Sequence, residues 1–101
     1  MTLDELYQII CERKANPPAG SYTAKLMAAG EDEIVKKVGE EAIEVILAAK
    51  AQGNERLVEE VADLTYHALV LLAYRGISPE DVRAELERRH SPKSERQRGS
   101  R

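Results

Sequence analysis

Four carboxylates recur at one spacing: Glu41-Ala-Ile-Glu44 and Glu60-Val-Ala-Asp63. Residues three apart share one side of a helix, so each pair presents its acids together. Both pairs interrupt strongly apolar segments, where neighbouring carboxylates repel and burial penalises their ionised forms. A hard divalent cation relieves both costs. An all-carboxylate donor set points to magnesium, with manganese as a substitute, whereas zinc would want cysteine or more histidine. An ion held that way most often handles phosphates. The plainer reading of either pair alone is a solvated helix face. Two pairs at one spacing, on neighbouring apolar helices, bring a metal site level with it.

The elements that must carry these acids are helices. No stretch alternates with period two, and no hairpin dipeptide joins β-branched runs. Thr2-Leu-Asp-Glu5 has the form of a capping box that opens a helix over about 3–14. Asn16-Pro-Pro-Ala-Gly20 breaks it. Ser21 caps a short helix over about 22–29, ended by Gly30. A third helix is expected over about 31–52, its first turn loaded with Glu31, Asp32 and Glu33 as the helix dipole favours. Gly53 stops it, Asn54 is placed to cap a fourth helix over about 55–75, and Gly76 ends that one. Ser78-Pro-Glu-Asp81 starts a last helix that runs to about His90. The fold class is therefore all-α, a helical bundle built on a long antiparallel hairpin. The domain spans 1–90, and 91–101 form a basic, flexible tail.

Helix angles place the acids. With about 100° between residues, Val35, Val38, Ala42, Val45 and Ala49 form one stripe of the third helix. Glu41 falls at its margin and Glu44 further round, with Lys37 between them in angle. Ile43 and Leu47 fall on the far side. On the fourth helix Leu57, Val58, Val61, Thr65, Ala68 and Leu72 line one side, while Arg56, Glu60, Asp63 and His67 form a second stripe. Val70 continues the apolar surface elsewhere. Helices apolar on several sides are buried on several sides, so a homodimer or higher homo-oligomer is expected, with Val70 against another subunit. Lys37 is a candidate phosphate ligand or an i, i+4 partner of Glu41. His67 is a candidate contact for phosphate or water, or a hydrogen-bonded structural histidine. Arg56 is placed to pair with Glu60. Gly39, in mid-helix, suggests a close approach by substrate or by a packed helix.

Bulk properties narrow the function classes. The chain of 101 residues is one domain's worth, and with no Trp or Phe its core must be aliphatic. The net charge of −3 divides into +3 over residues 91–101 and −6 over the remainder. An acidic body argues against nucleic acid as the main partner. No apolar run reaches membrane-spanning length, and the N-terminus lacks the basic start and apolar stretch of a signal peptide. The single cysteine, Cys11, has no internal partner and fits a reducing, cytoplasmic setting as a small helix residue.

Several segments carry a resemblance. Lys36-Lys-Val-Gly-Glu-Glu-Ala-Ile-Glu-Val45, Ala48-Ala-Lys50, Leu57-Val-Glu-Glu-Val-Ala-Asp-Leu64, Tyr66-His67 and, upstream, Ser21-Tyr-Thr-Ala-Lys-Leu26 resemble the phosphoribosyl-ATP pyrophosphatases. That family lies within the all-α (MazG-type) nucleoside triphosphate pyrophosphatases. The likeness covers about residues 3–90. The paired acids mark only the superfamily, and the Ser21–Leu26 segment with Val-Gly-Glu-Glu-Ala is the more specific part. The resemblance implies hydrolysis of phosphoribosyl-ATP to phosphoribosyl-AMP and pyrophosphate, the second step of histidine biosynthesis. It implies a magnesium requirement and a dimer-completed bundle; in some organisms the family's domain is fused to the cyclohydrolase that acts next, and with no such domain in these 101 residues the stand-alone form is expected. Glu41, Glu44, Glu60 and Asp63 map onto the metal ligands, with Glu41 or Glu44 acting on the attacking water. Lys25 and Lys37 become substrate-binding candidates, with His67. Four acids and a triphosphate outweigh one divalent ion, so more than one is expected per site. After His90 the chain reads Ser-Pro-Lys-Ser-Glu-Arg, where the family often continues with Gly and a Ser-Gly segment. The signature alone also fits a housecleaning pyrophosphatase for non-standard nucleoside triphosphates, and a non-catalytic dimerisation module would leave the acids solvated.

Overall fold

The computed structural model describes residues 1–91; the basic tail expected over 91–101 lies, beyond Ser91, outside the described residues. Five helices follow in order: α1 Leu3–Ala15, α2 Tyr22–Ala29, α3 Glu31–Ala51, α4 Gly53–Arg75 and α5 Pro79–Arg89. Every regular element among the described residues is a helix.

The caps explain most boundaries. Thr2 accepts from the Glu5 amide at 3.1 Å and Glu5 returns the bond to Thr2 N–H at 2.8 Å, the reciprocal box that opens α1. Ser21 accepts from the Ala24 amide to start α2. Ser78 and Asp81 form a second capping box, with Pro79 at the first position of α5. Asn54 does not cap α4. That helix begins one residue earlier, at Gly53, and Gln52 serves at once as the last half-turn of α3 and the first of α4 with no side-chain cap. So tight a reversal leaves no room for a separate cap. It requires the left-handed backbone of Gly53, φ +84°, which a side chain would strain.

α3 and α4, joined at Gln52, pack along each other as a hairpin, and α1 and α2 pack against one end of it. The core sits at that end: Tyr7 and Ile10 from α1, Leu26 from α2, Ile34 from α3, and Leu69, Val70 and Ala73 from α4. Val70, expected against another subunit, is fully buried within its own chain. Cys11 is half-buried beside this core. The C-terminal end of α4 is fastened to α1, because Lys14 Nζ donates to the carbonyls of Ala73 (2.9 Å) and Tyr74 (3.3 Å). The Tyr7 hydroxyl donates to the Ile77 carbonyl at 2.6 Å and Arg83 pairs with Asp4 at 3.0 Å, which holds α5 near α1.

Each helix of the hairpin packs on a line that carries one of the acids. On α3 the buried residues are Ile34 and Ala48, while Val35 is exposed. The packed side is therefore turned towards Glu41. On α4 Glu60 and His67 are buried, while Val58 and Val61 are exposed. Glu60 and His67 of the acid-bearing stripe are thus enclosed, and Asp63 on the same stripe stays open to solvent. The other end of the hairpin leaves Ile43 (58 % exposed), Ile46 and Leu47 uncovered together with Val58 (68 %).

Candidate metal centre

The acids lie where the packed end of the hairpin gives way to its uncovered end. One ligand oxygen each from Glu41, Glu60 and Asp63 falls within 4.8 Å of the others. Glu60 is 5 % exposed, Glu41 is intermediate and Asp63 is open to solvent. Burial first, then the nearby charges of Asp63 and Glu60, push the Glu41 carboxyl above its ordinary range, with His67 pulling the other way. The donor set fits a hard divalent ion. Oxygens bound at ~2.1 Å around magnesium stand roughly 3–4 Å apart, which side-chain adjustment in this trio can reach. Glu44 is not one of the three. It is half-buried one helical turn beyond Glu41, where its charge acts on Arg56.

Arg56 forks. One arm donates to Glu59 Oε1 at 2.5 Å and the other to Glu60 Oε1 at 2.6 Å, so the expected pair with Glu60 forms. Lys37 does not pair with Glu41; its Nζ lies 3.8 Å from Glu40. Lys37 and Lys25 share the lining of a groove of about 310 Å³ with Tyr22, Leu26, Ala29 and Glu33. A second groove of about 580 Å³ continues along α2, lined by Tyr22 and Lys25 with Pro18, Gly20, Ser21 and Ala24. Gly39 is exposed, with open space where a Cβ would stand, so no packing within the chain accounts for it.

His67 is buried and uses both ring nitrogens within the protein. Nδ1–H donates to the Asp63 carbonyl at 3.0 Å, which in the neutral ring leaves Nε2 to accept from the Tyr22 hydroxyl at 2.8 Å. The Tyr66 ring meets His67 edge-on at 5.4 Å, and its hydroxyl bonds to Thr23. Burial, then Tyr22, push the Tyr66 hydroxyl above its ordinary range, so it stays protonated. The Ser21–Leu26 segment thus has a structural reading residue by residue. Ser21 caps α2, Tyr22 and Thr23 latch it to α4, Lys25 faces the grooves and Leu26 enters the core. Helix periodicity did not single out Tyr22, Thr23 or Tyr66, because their partners are more than forty residues away. The available signal was the run of hydroxyl side chains ahead of Lys25.

The family described as phosphoribosyl-ATP pyrophosphohydrolase matches residues 3–90. A phosphoribosyl-ATP pyrophosphatase of Pelotomaculum thermopropionicum is 57 % identical over 90 residues, covering 89 % of this chain and 92 % of its own. Proteins of the same name from Saccharolobus solfataricus and Sulfurisphaera tokodaii are 52 % and 55 % identical over 87 residues, each covering 86 % of this chain and 93 % of their own. With its acidic pairs, its latched α2 and nearly its whole described length inside that likeness, the chain belongs to the phosphoribosyl-ATP pyrophosphohydrolase family.

Proposed function

We propose that this protein hydrolyses phosphoribosyl-ATP to phosphoribosyl-AMP and pyrophosphate, the second step of histidine biosynthesis. The observation that carries the proposal is family membership over residues 3–90, together with an acid trio of the right chemistry in that span. The relatives' name favours this substrate over a housecleaning role on other triphosphates.

In this reading Glu41, Glu60 and Asp63 hold the ion, magnesium by preference and manganese as a substitute. When bound, a divalent ion supplies the positive charge that phosphate oxygens need in an anhydride hydrolysis. Glu44, outside the trio and one turn along α3, is the carboxylate left to orient the attacking water and take its proton. Water adds to a phosphorus of the α–β anhydride, the bridging bond breaks, and pyrophosphate leaves. Lys25 and Lys37 bind the phosphates from the groove they share. His67 contributes by fixing Tyr22 and the Asp63 backbone, which keeps α2 and its Lys25 aligned with the acids. More than one ion is expected once the triphosphate adds its charge.

A homodimer covers the uncovered end of the hairpin, where Ile43, Ile46, Leu47 and Val58 lie exposed; a patch of that kind is costly on a monomer. Sedimentation at micromolar concentration tests it, and a monomer would reject it. No helix among the described residues is long and apolar enough to cross a membrane, which agrees with a cytoplasmic enzyme. The activity is tested by supplying phosphoribosyl-ATP, dUTP and the common triphosphates with magnesium and measuring pyrophosphate. Release from phosphoribosyl-ATP alone is expected. Equal release from dUTP would move the assignment to the housecleaning class.

A further inference from the structure

Glu60 is the most buried member of the trio, yet its ion-pair partner reaches solvent: the side chains are 7 % and 48 % exposed. Three ionised acids within 4.8 Å carry −3, and Arg56 brings one positive charge to them through Glu60. Arg56 also has somewhere else to go. Its other arm already holds Glu59, an exposed acid that does not belong to the trio. Arg56, Glu59 and Glu60 all lie on α4, so moving the guanidinium from both acids to Glu59 alone needs side-chain rotation and no backbone change.

We propose that Arg56 is a displaceable counter-cation of the metal centre. It neutralises Glu60 while the site is empty, retreats to Glu59 when a divalent ion takes Glu60, and by that competition sets how tightly the ion is held. The proposal rests on the reading that Glu41, Glu60 and Asp63 hold the ion. Two other roles for the pair differ in sign. An arginine that orients Glu60 as a ligand would strengthen metal binding. A surface pair of the ordinary i, i+4 kind would leave binding unchanged.

The test is Mn²⁺ binding to the full chain by calorimetry at low ionic strength, with melting in EDTA measured alongside. Arg56→Gln is expected to lower the Mn²⁺ Kd roughly tenfold, because a nearby like charge has been removed from a poorly screened site. The same variant should melt below wild type in EDTA, since a buried carboxylate has lost its partner. Arg56→Lys, which keeps the charge, should stay near wild type in Kd. Glu59→Gln provides a second route that leaves Arg56 in place. It takes away the retreat position and should raise the Kd, and that effect should vanish in an Arg56→Gln background. A Kd that rises or stays constant in Arg56→Gln overturns the proposal. Absence of Mn²⁺ binding by the wild-type protein would instead overturn the metal centre itself.

Discussion

Glu41→Gln should stabilise the metal-free protein while destroying its response to metal. Glutamine keeps the shape of the side chain and removes one of three carboxylate charges held within 4.8 Å of each other. At that spacing two unit charges repel by about 1 kcal/mol in water and by about 3 kcal/mol at an effective dielectric of about 20. Asp63 is open to solvent and Glu60 is already offset by Arg56, so the lower figure governs. A gain of about 1 kcal/mol raises the melting temperature of a domain this size by roughly 4–8 °C. The assay is thermal melting followed by circular dichroism, at fixed protein concentration, in EDTA and in millimolar magnesium. Wild type should melt higher with magnesium, and the variant should melt higher than wild type in EDTA and gain little from the ion.

Acid titration supplies an internal control for that experiment. A carboxyl raised above its ordinary 4.5 binds its proton more tightly in the folded chain than in the unfolded one. Its contribution to the metal-free protein is therefore most favourable below 4.5 and is lost as the pH rises through the folded value. The gap between variant and wild type in EDTA should narrow as the pH falls towards 4.5. A variant that melts at or below wild type in EDTA at neutral pH refutes the claim that Glu41 is held against repulsion.

Glu44→Gln and Asp63→Asn should each abolish pyrophosphate release while the far-ultraviolet circular dichroism stays helical; full activity in either removes that residue from the site. Lys25→Met and Lys37→Met should each raise KM about tenfold with little change in kcat, the loss expected of one charge-assisted phosphate contact; steady-state kinetics decide. Tyr7→Phe removes the 2.6 Å bond to the Ile77 carbonyl and should cost about 1 kcal/mol in urea denaturation, without altering metal binding.

Much of this architecture was legible in the chain because its signals are local. Thr2 with Glu5, Ser21, and Ser78 with Asp81 cap the helices they were expected to cap. The acid spacing singled out four residues, of which Glu41, Glu60 and Asp63 converge and Glu44 does not. What the pattern did not decide was which of several apolar sides is packed within the chain: Val70, expected against another subunit, is buried here. The apolar count put Val58 and Val61 on one side of α4 without saying what covers it, and α4 packs within the chain on the line of Glu60, His67 and Val70. Hydrophobic periodicity ranks the sides of a helix by apolar content, so it does not rank a side whose line carries a buried carboxylate such as Glu60. The Tyr22–His67 and Thr23–Tyr66 contacts were hidden for another reason. Which residue of α2 meets which residue of α4 is set by the path of the intervening hairpin, and no local pattern encodes it.

The reversal at Gln52 and Gly53 acts as a ruler. Because one residue ends α3 and begins α4, the phase of each helix is counted outward from that point. A single residue inserted there would turn α4 by about 100° relative to α3, carrying Glu60 and Asp63 away from Glu41 with every site residue still in the sequence. Insertions and deletions should therefore be excluded from this turn and tolerated instead in the Asn16–Gly20 bend, whose length sets no phase between acids. The reach of the site along the chain is longer than its list of ligands: it includes a glycine that touches no ion and no substrate.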